Sequence, residues 1–168
     1  MTDPSNNIRT ENLVVTRILD APVELVWKAW TDPQHVMRWW GPKYFVSPTC
    51  KIDLREGGKF IFCMRAPADM GGQEHYTAGI YKKIRPMESL EFTQGLADQD
   101  GNPINPVLVG MPPDFPKEIR TVVTFKQIKG GDMTELTVTE YDWPVSQMFV
   151  YSIAGLHQSM DKLAESLK

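Results

Sequence analysis

The chain has 168 residues, 42% hydrophobic and 23% charged, with 18 Lys and Arg against 21 Asp and Glu for a formal charge of −3. That length suits one domain with a substantial core, and the scattered basic residues exclude a general nucleic-acid binder, which needs a concentrated positive surface. No stretch reaches the roughly 20 apolar residues of a membrane span, the first residues lack a signal peptide's basic and apolar regions, and two cysteines make no disulfide framework, so the expected setting is the cytoplasm.

Residues 1–10 read as a poorly ordered tail of a single domain spanning 1–168. Asn12 to Leu19 is β-branched and alternates, as a first strand does. Two short helices follow. Pro22 and Pro33 are expected at first helical positions, with Asp32 as N-cap of the second helix. Val23, Val26, Trp27 and Trp30 recur at i, i+3, i+4, i+7 and make one apolar stripe. Gly41-Pro42 stops the pattern just after Trp39-Trp40. With Trp27 and Trp30, this segment holds four of the five tryptophans.

Val46–Leu54 and Lys59–Arg65 are expected to form a hairpin around Arg55-Glu56-Gly57-Gly58. Pairing Leu54 with Phe60, Ile52 with Phe62 and Cys50 with Met64 sets apolar against apolar and places Cys50 and Cys63 on opposite faces. Strands near Glu74–Ile84 and Ser89–Leu96 come next. Ala97 to Lys117, with five prolines, reads as a long ordered loop, and such loops are usually functional. Strands resume at Ile119–Gln127 and Thr134–Tyr141. The last helix, Ser146 to Leu167, carries Phe149, Ile153, Leu156, Met160, Leu163 and Leu167 on one stripe, with Ser146 as N-cap. Gly155 in its middle suggests close approach of another backbone, or room for a ligand.

Strands in a run with helices at the ends indicate an α+β protein with a curved antiparallel sheet of six or seven strands, wrapped around the terminal helix. The motifs Ala21-Pro22 with Val26-Trp27, Thr31-Asp32-Pro33, Trp39-Trp40-Gly41-Pro42, Asp53-Leu54-Arg55 with Gly57-Gly58, Gly79-Ile80-Tyr81, Glu88 to Thr93, and Gly155 with Asp161-Lys162-Leu163 carry a resemblance. The chain resembles the START-like, birch-allergen-like (SRPBCC) superfamily and, within it, the heat-shock-protein-90 ATPase activator homologue-like family. The likeness implies a helix-grip fold over about residues 10–168. Leu156-His157 follows the helix glycine where that family often has tryptophan.

The histidines, His35, His75 and His157, lack metal-ligand spacing, Gly57-Gly58 and Gly71-Gly72 sit in hairpin turns rather than phosphate loops, and nucleophile motifs are absent. No catalytic residue, metal or cofactor is therefore assigned. A cavity between the sheet and the last helix is expected to be lined by Trp40, Phe60, Phe62, Met64, Tyr76, Tyr81, Phe92, Phe125, Phe149, Ile153, Leu156, His157 and Met160, with Ala97–Lys117 as lid or rim. Tyr76 and Tyr81 have opposite parity, so which of them points inward is open at this point. The implied function is binding of a small hydrophobic ligand or lipid, with a link to stress response, by a monomer or homodimer. A cyclase-, aromatase- or hydrolase-like enzyme using His157 and a tyrosine, and a chaperone-interacting domain, are the alternatives.

Overall fold

Leu13, Val15 and Leu19 of β1 (Thr10–Leu19) are buried while their neighbours are not, the period-2 pattern of a strand with one face on a core. The same alternation recurs in stretches over residues 89–92, 119–125 and 133–138 of the computed structural model, which describes residues 8–168. After β1 come α1 (Val23–Thr31), α2 (Pro33–Val36), β2 (Cys50–Ile52), β3 (Lys59–Arg65), β4 (Glu74–Arg85), β5 (Ser89–Ala97), β6 (Ile119–Ile128), β7 (Met133–Pro144) and α3 (Gln147–Ser166). The seven strands form one antiparallel sheet in the order β1-β7-β6-β5-β4-β3-β2. The chain therefore starts at one edge, crosses to the other through α1 and α2, and meanders back to lie beside β1. The α+β helix-grip arrangement is as expected, with α3 burying Phe149, Met160 and Leu163 in the core of the sheet. No helix among the described residues is long and apolar enough to cross a membrane. Of the expected tail, residues 1–7 lie outside the described chain, and Thr10 already belongs to β1.

Both short helices form where proline allows them. Pro33 opens α2, and Asp32 accepts the Gln34 N–H at 3.0 Å. Pro22 stands one residue earlier than expected, as the N-cap of α1, where its carbonyl accepts from Leu25 and Val26 at 3.0 and 3.3 Å. The buried stripe Val23, Val26, Trp27 and Trp30 faces the sheet, and Trp27 meets Phe125 edge-on at 5.2 Å.

The β2–β3 hairpin corrects the expected register by two residues. Ile52 opposes Phe60 and Cys50 opposes Phe62. Asp53 N donates to Lys59 O, and Gly58 N to Arg55 O, so the turn takes Leu54 out of the ladder and leaves it exposed. A two-residue shift preserves parity, so the face assignments survive. Cys50 points into the sheet's covered side, Cys63 points away, and both are free. Residues 46–49 are not strand beyond a single bridge from Val46 to Arg65.

The segment after Trp40 is fixed by α3. Lys162 Nζ donates to the carbonyls of Gly41 at 3.1 Å and Phe45 at 2.9 Å, with Trp40 and Pro42 at 3.4 Å. Ser159 Oγ adds a 2.9 Å bond to Gly41 O. Ser146 caps α3 by accepting from Phe149 N at 3.2 Å. Gly155 departs from the expected close approach, because nothing stands within 4 Å of where its Cβ would be. Gly155→Ala is therefore expected to stabilise the fold by about 1 kcal/mol, through helix propensity alone. Urea unfolding measures it, and a loss of stability would reveal a neighbour that the open space denies.

Candidate functional site

Three adjacent strands interrupt their inward apolar alternation with a polar residue. On β5 the inward series is Leu90, Phe92, Gln94, Leu96. On β6 it is Ile119, Thr121, Val123, Phe125, and on β7 it is Leu136, Val138, Glu140. Thr121 lies opposite both Phe92 and Glu140, while Gln94 lies opposite Ile119 and Gly79. The three polar side chains therefore meet. Gln94 Nε2 donates to Thr121 Oγ1 at 2.9 Å and, more weakly, to Glu140 Oε2 at 3.5 Å.

A fourth member arrives through a β-bulge. Residues three apart in a regular strand face opposite ways, yet Trp143 Nε1 donates to Glu140 Oε1 at 2.9 Å. Between the pairs Leu13–Glu140 and Glu11–Trp143 the ladder has one extra residue on β7. Asp142 absorbs it with φ of 59°, and its N–H bonds to Asn12 Oδ1 at 3.1 Å. The bulge thus turns Trp143 to the side of Glu140. Burial pushes the Glu140 carboxyl above the ordinary glutamate value, and the Trp143 N–H opposes that shift.

Beside this network lies a cavity of about 130 Å3 lined by Thr77, Gln94, Gly95, Leu96, Phe115, Pro116, Ile119 and Glu140. One wall comes from the long loop after β5. Asp98 ties the start of that loop by accepting the N–H groups of Asp100 and Asn102 at 2.9 Å each, and these bonds hold its carboxyl below the usual range. Phe115 closes the far end against Trp143, edge-on at 5.5 Å. The loop returns directly over Gly95, where a Cβ would sit 2.3 Å from Lys117 O. Only glycine permits that approach. Between these anchors the chain exposes Val107, Leu108 and Val109 on a 3-10 turn.

The aromatic residues expected to line a cavity are placed mostly in the core. Phe60 contacts Phe62, Tyr81 and Phe92 at ring separations of 4.9, 5.2 and 5.2 Å, and Phe60 also covers Gly79, where a Cβ would fall 2.6 Å from its Cζ. Trp40 meets Phe62 edge-on at 4.7 Å. Phe125, Phe149 and Met160 are buried in the same cluster, with Ile153 and Leu156 packed against it. Met64 is half-buried on the Phe62 side. None of them lines the 130 Å3 cavity.

Two expected lining residues lie elsewhere. Tyr76 pairs with Cys63 on the opposite face of the sheet. Its hydroxyl donates to Glu74 Oε2 at 2.8 Å, and that bond, ahead of burial, pushes the phenol up to about 12. His157 is exposed on α3, because it falls off the apolar stripe, and its carbonyl accepts from Arg17 at 3.0 Å. The acid–base pairing of His157 with a tyrosine is thereby corrected. A larger concavity, about 490 Å3, runs along α3 between Arg38, Lys43, Gln158, Asp161, Lys162, Glu165 and Ser166. It is an open groove whose polar groups are largely committed: Lys162 to the loop carbonyls, Asp161 to Arg17 at 2.7 Å and Ser166 to His35 at 3.0 Å.

Raising a folded-state carboxyl pKa favours the fold while the group is protonated. The Glu140 contribution is therefore full below the ordinary carboxylate range and is lost as pH rises through the raised value. Glu140→Gln should gain thermal stability relative to the wild type as pH climbs from about 4 to about 8. Melting curves of both proteins across that range check it, and a pH-independent difference would contradict it.

The family model described as Activator of Hsp90 ATPase homolog 1-like protein matches residues 20–168. No curated protein matches the chain significantly. Among solved structures, a protein of Chromobacterium violaceum is 26% identical, over 93% of this chain and 96% of that one, at a TM-score of 0.72. One from Nitrosomonas europaea is 23% identical over 93% of each chain, at 0.71. The AHSA1 protein of Silicibacter pomeroyi is 21% identical over 94% and 97%, also at 0.71. Identity at this level speaks to shared architecture, and the matched span takes in the helix pair, six of the strands and α3. The chain belongs to the Activator of Hsp90 ATPase homolog 1-like family.

Proposed function

We propose that this domain binds a small, mostly apolar molecule in the cavity beneath the loop after β5. The observation that carries the reading is the composition of that cavity: Leu96, Phe115, Pro116 and Ile119 supply apolar walls, and Glu140 with Gln94 supplies polar anchors. Such a mixture is the usual form of a ligand site. At about 130 Å3 the space is below the roughly 300–1,000 Å3 typical for drug-sized ligands. It suits a ligand of a few heavy atoms and is too small for a lipid chain. The free cysteines support a reducing, cytoplasmic setting.

Acid–base catalysis in the same cavity is a second reading, favoured by the raised Glu140 carboxyl. A chaperone-binding role, in line with the family's description, is favoured by the exposed Val107-Leu108-Val109 run, of which Leu108 is 79% exposed.

Native mass spectrometry of protein purified from its source cells tests the binding reading. A small-molecule adduct that denaturation removes is expected, and Ile119→Phe, which fills the cavity, should abolish it. Bare wild-type mass, or an adduct that survives in Ile119→Phe, would sink the proposal.

A further inference from the structure

Among the described residues the cavity has one ionisable lining residue, Glu140, and no Lys, Arg or His in its lining. Glu140 takes part in none of the ion pairs of the described residues. Withdrawn carboxyls are normally paired with a cation or held neutral. The hydrogen bonds separate these cases. Both carboxyl oxygens receive N–H donors, Oε1 from Trp143 at 2.9 Å and Oε2 from Gln94 at 3.5 Å. That is the environment of an acceptor, and a protonated acid would waste one of the two donors. The bond to Oε2 is long, which leaves that oxygen with capacity for a closer partner. Gln94 spends its Nε2 on Thr121 and Glu140, so its amide can offer the cavity only its carbonyl oxygen. Two acceptors and no cation therefore converge on one small apolar-walled space.

We propose that the cavity selects a small free alkylamine, whose ammonium group pairs with Glu140 Oε2 and the Gln94 side-chain carbonyl while its alkyl chain lies against Leu96, Phe115 and Ile119. The inference rests on the ligand-binding reading above. An ammonium offers several N–H donors on a compact centre, which matches two acceptors in a space of this size, and it supplies the countercharge that Glu140 lacks. A carboxylate ligand is disfavoured, because it would meet Glu140 with no cation to separate them. A neutral alcohol satisfies the acceptors singly and leaves the charge uncompensated.

The indole N–H resonance of Trp143, whose proton sits on Glu140, reports occupancy in a 1H–15N correlation spectrum. The probes are n-butylammonium, 1-butanol and butyrate at about pH 8, where an alkylammonium remains protonated. The expected result is a saturable shift with butylammonium, at least about tenfold tighter than with butanol, and none with butyrate. Glu140→Gln should erase the margin of amine over alcohol. Butanol binding as tightly as butylammonium, or a margin that persists in Glu140→Gln, overturns the ammonium assignment and leaves the cavity reading intact. No shift with any of the three probes overturns both. The wild-type comparison of amine with alcohol decides the matter even if Glu140→Gln fails to fold.

Discussion

An antiparallel sheet with one apolar face has to cover that face across its whole width, and here a chain of aromatic contacts does so from the helix pair outward. Trp30 meets Trp39 at 4.7 Å, Trp39 meets Trp40 at 5.7 Å, and Trp40 meets Phe62 at 4.7 Å. Phe62 then passes the contact to Phe60, and Phe60 to Tyr81 and Phe92. Each ring buries a large apolar area in tilted or edge-on geometry. The indole N–H of Trp39 finds Ala29 O at 2.8 Å, whereas that of Trp30 has no partner among the described residues. An unmet buried donor costs about 1–3 kcal/mol, so the packing at Trp30 outweighs a polar loss. Lys162 holds the loop that places Trp39 and Trp40 by donating to its carbonyls, and burial holds its ammonium below the ordinary lysine value.

That chain of rings fills the half of the sheet nearest β2, β3 and β4. The rest of the face is covered by α1, where Trp27 meets Phe125, and by α3, and the long loop closes one end of β5, β6 and β7 at Phe115. There the fold places Gln94, Thr121 and Glu140 inward, a choice that core packing alone would not make, since burying a carboxyl costs stability unless something compensates it. The bulge at Asp142 adds Trp143 as a donor, and the loop adds Phe115 over that indole. Departures from an otherwise consistent pattern tend to collect at functional sites. Here Gln94, Thr121 and Glu140 gather on three neighbouring strands beside one loop.

Much of the fold was legible in the sequence, because period and punctuation carry it. The stripe from Val23 to Trp30, the caps Asp32 and Ser146, and the strand alternations were read from residue spacing, and the structure has the same elements. The hairpin register slipped by two because side-chain faces repeat every two residues, so apolar matching could not separate it from its neighbour. Apolar inward character does not separate a ligand wall from a packed core. Phe60, Phe62 and Phe92 are apolar and share an inward face in the sequence pattern, which is equally the description of a core. The informative residues were the polar ones in phase with them: Gln94 after Leu90 and Phe92, Thr121 before Val123 and Phe125, and Glu140 after Leu136 and Val138. That signal was present. Trp143 was less accessible, since simple alternation puts it on the other face from Glu140, and only the bulge reverses it. Tyr76 could not be placed by parity alone, and His157 lies off the stripe that packs.

The central claim is that the fold withdraws Glu140 from water at the head of a cavity, and the most direct measurement is an NMR titration of its side-chain carboxyl carbon. The expected midpoint lies clearly above the ordinary glutamate value of about 4.3 and falls toward it when Phe115→Ala opens the loop wall. A midpoint at the ordinary value in the wild-type protein would contradict it.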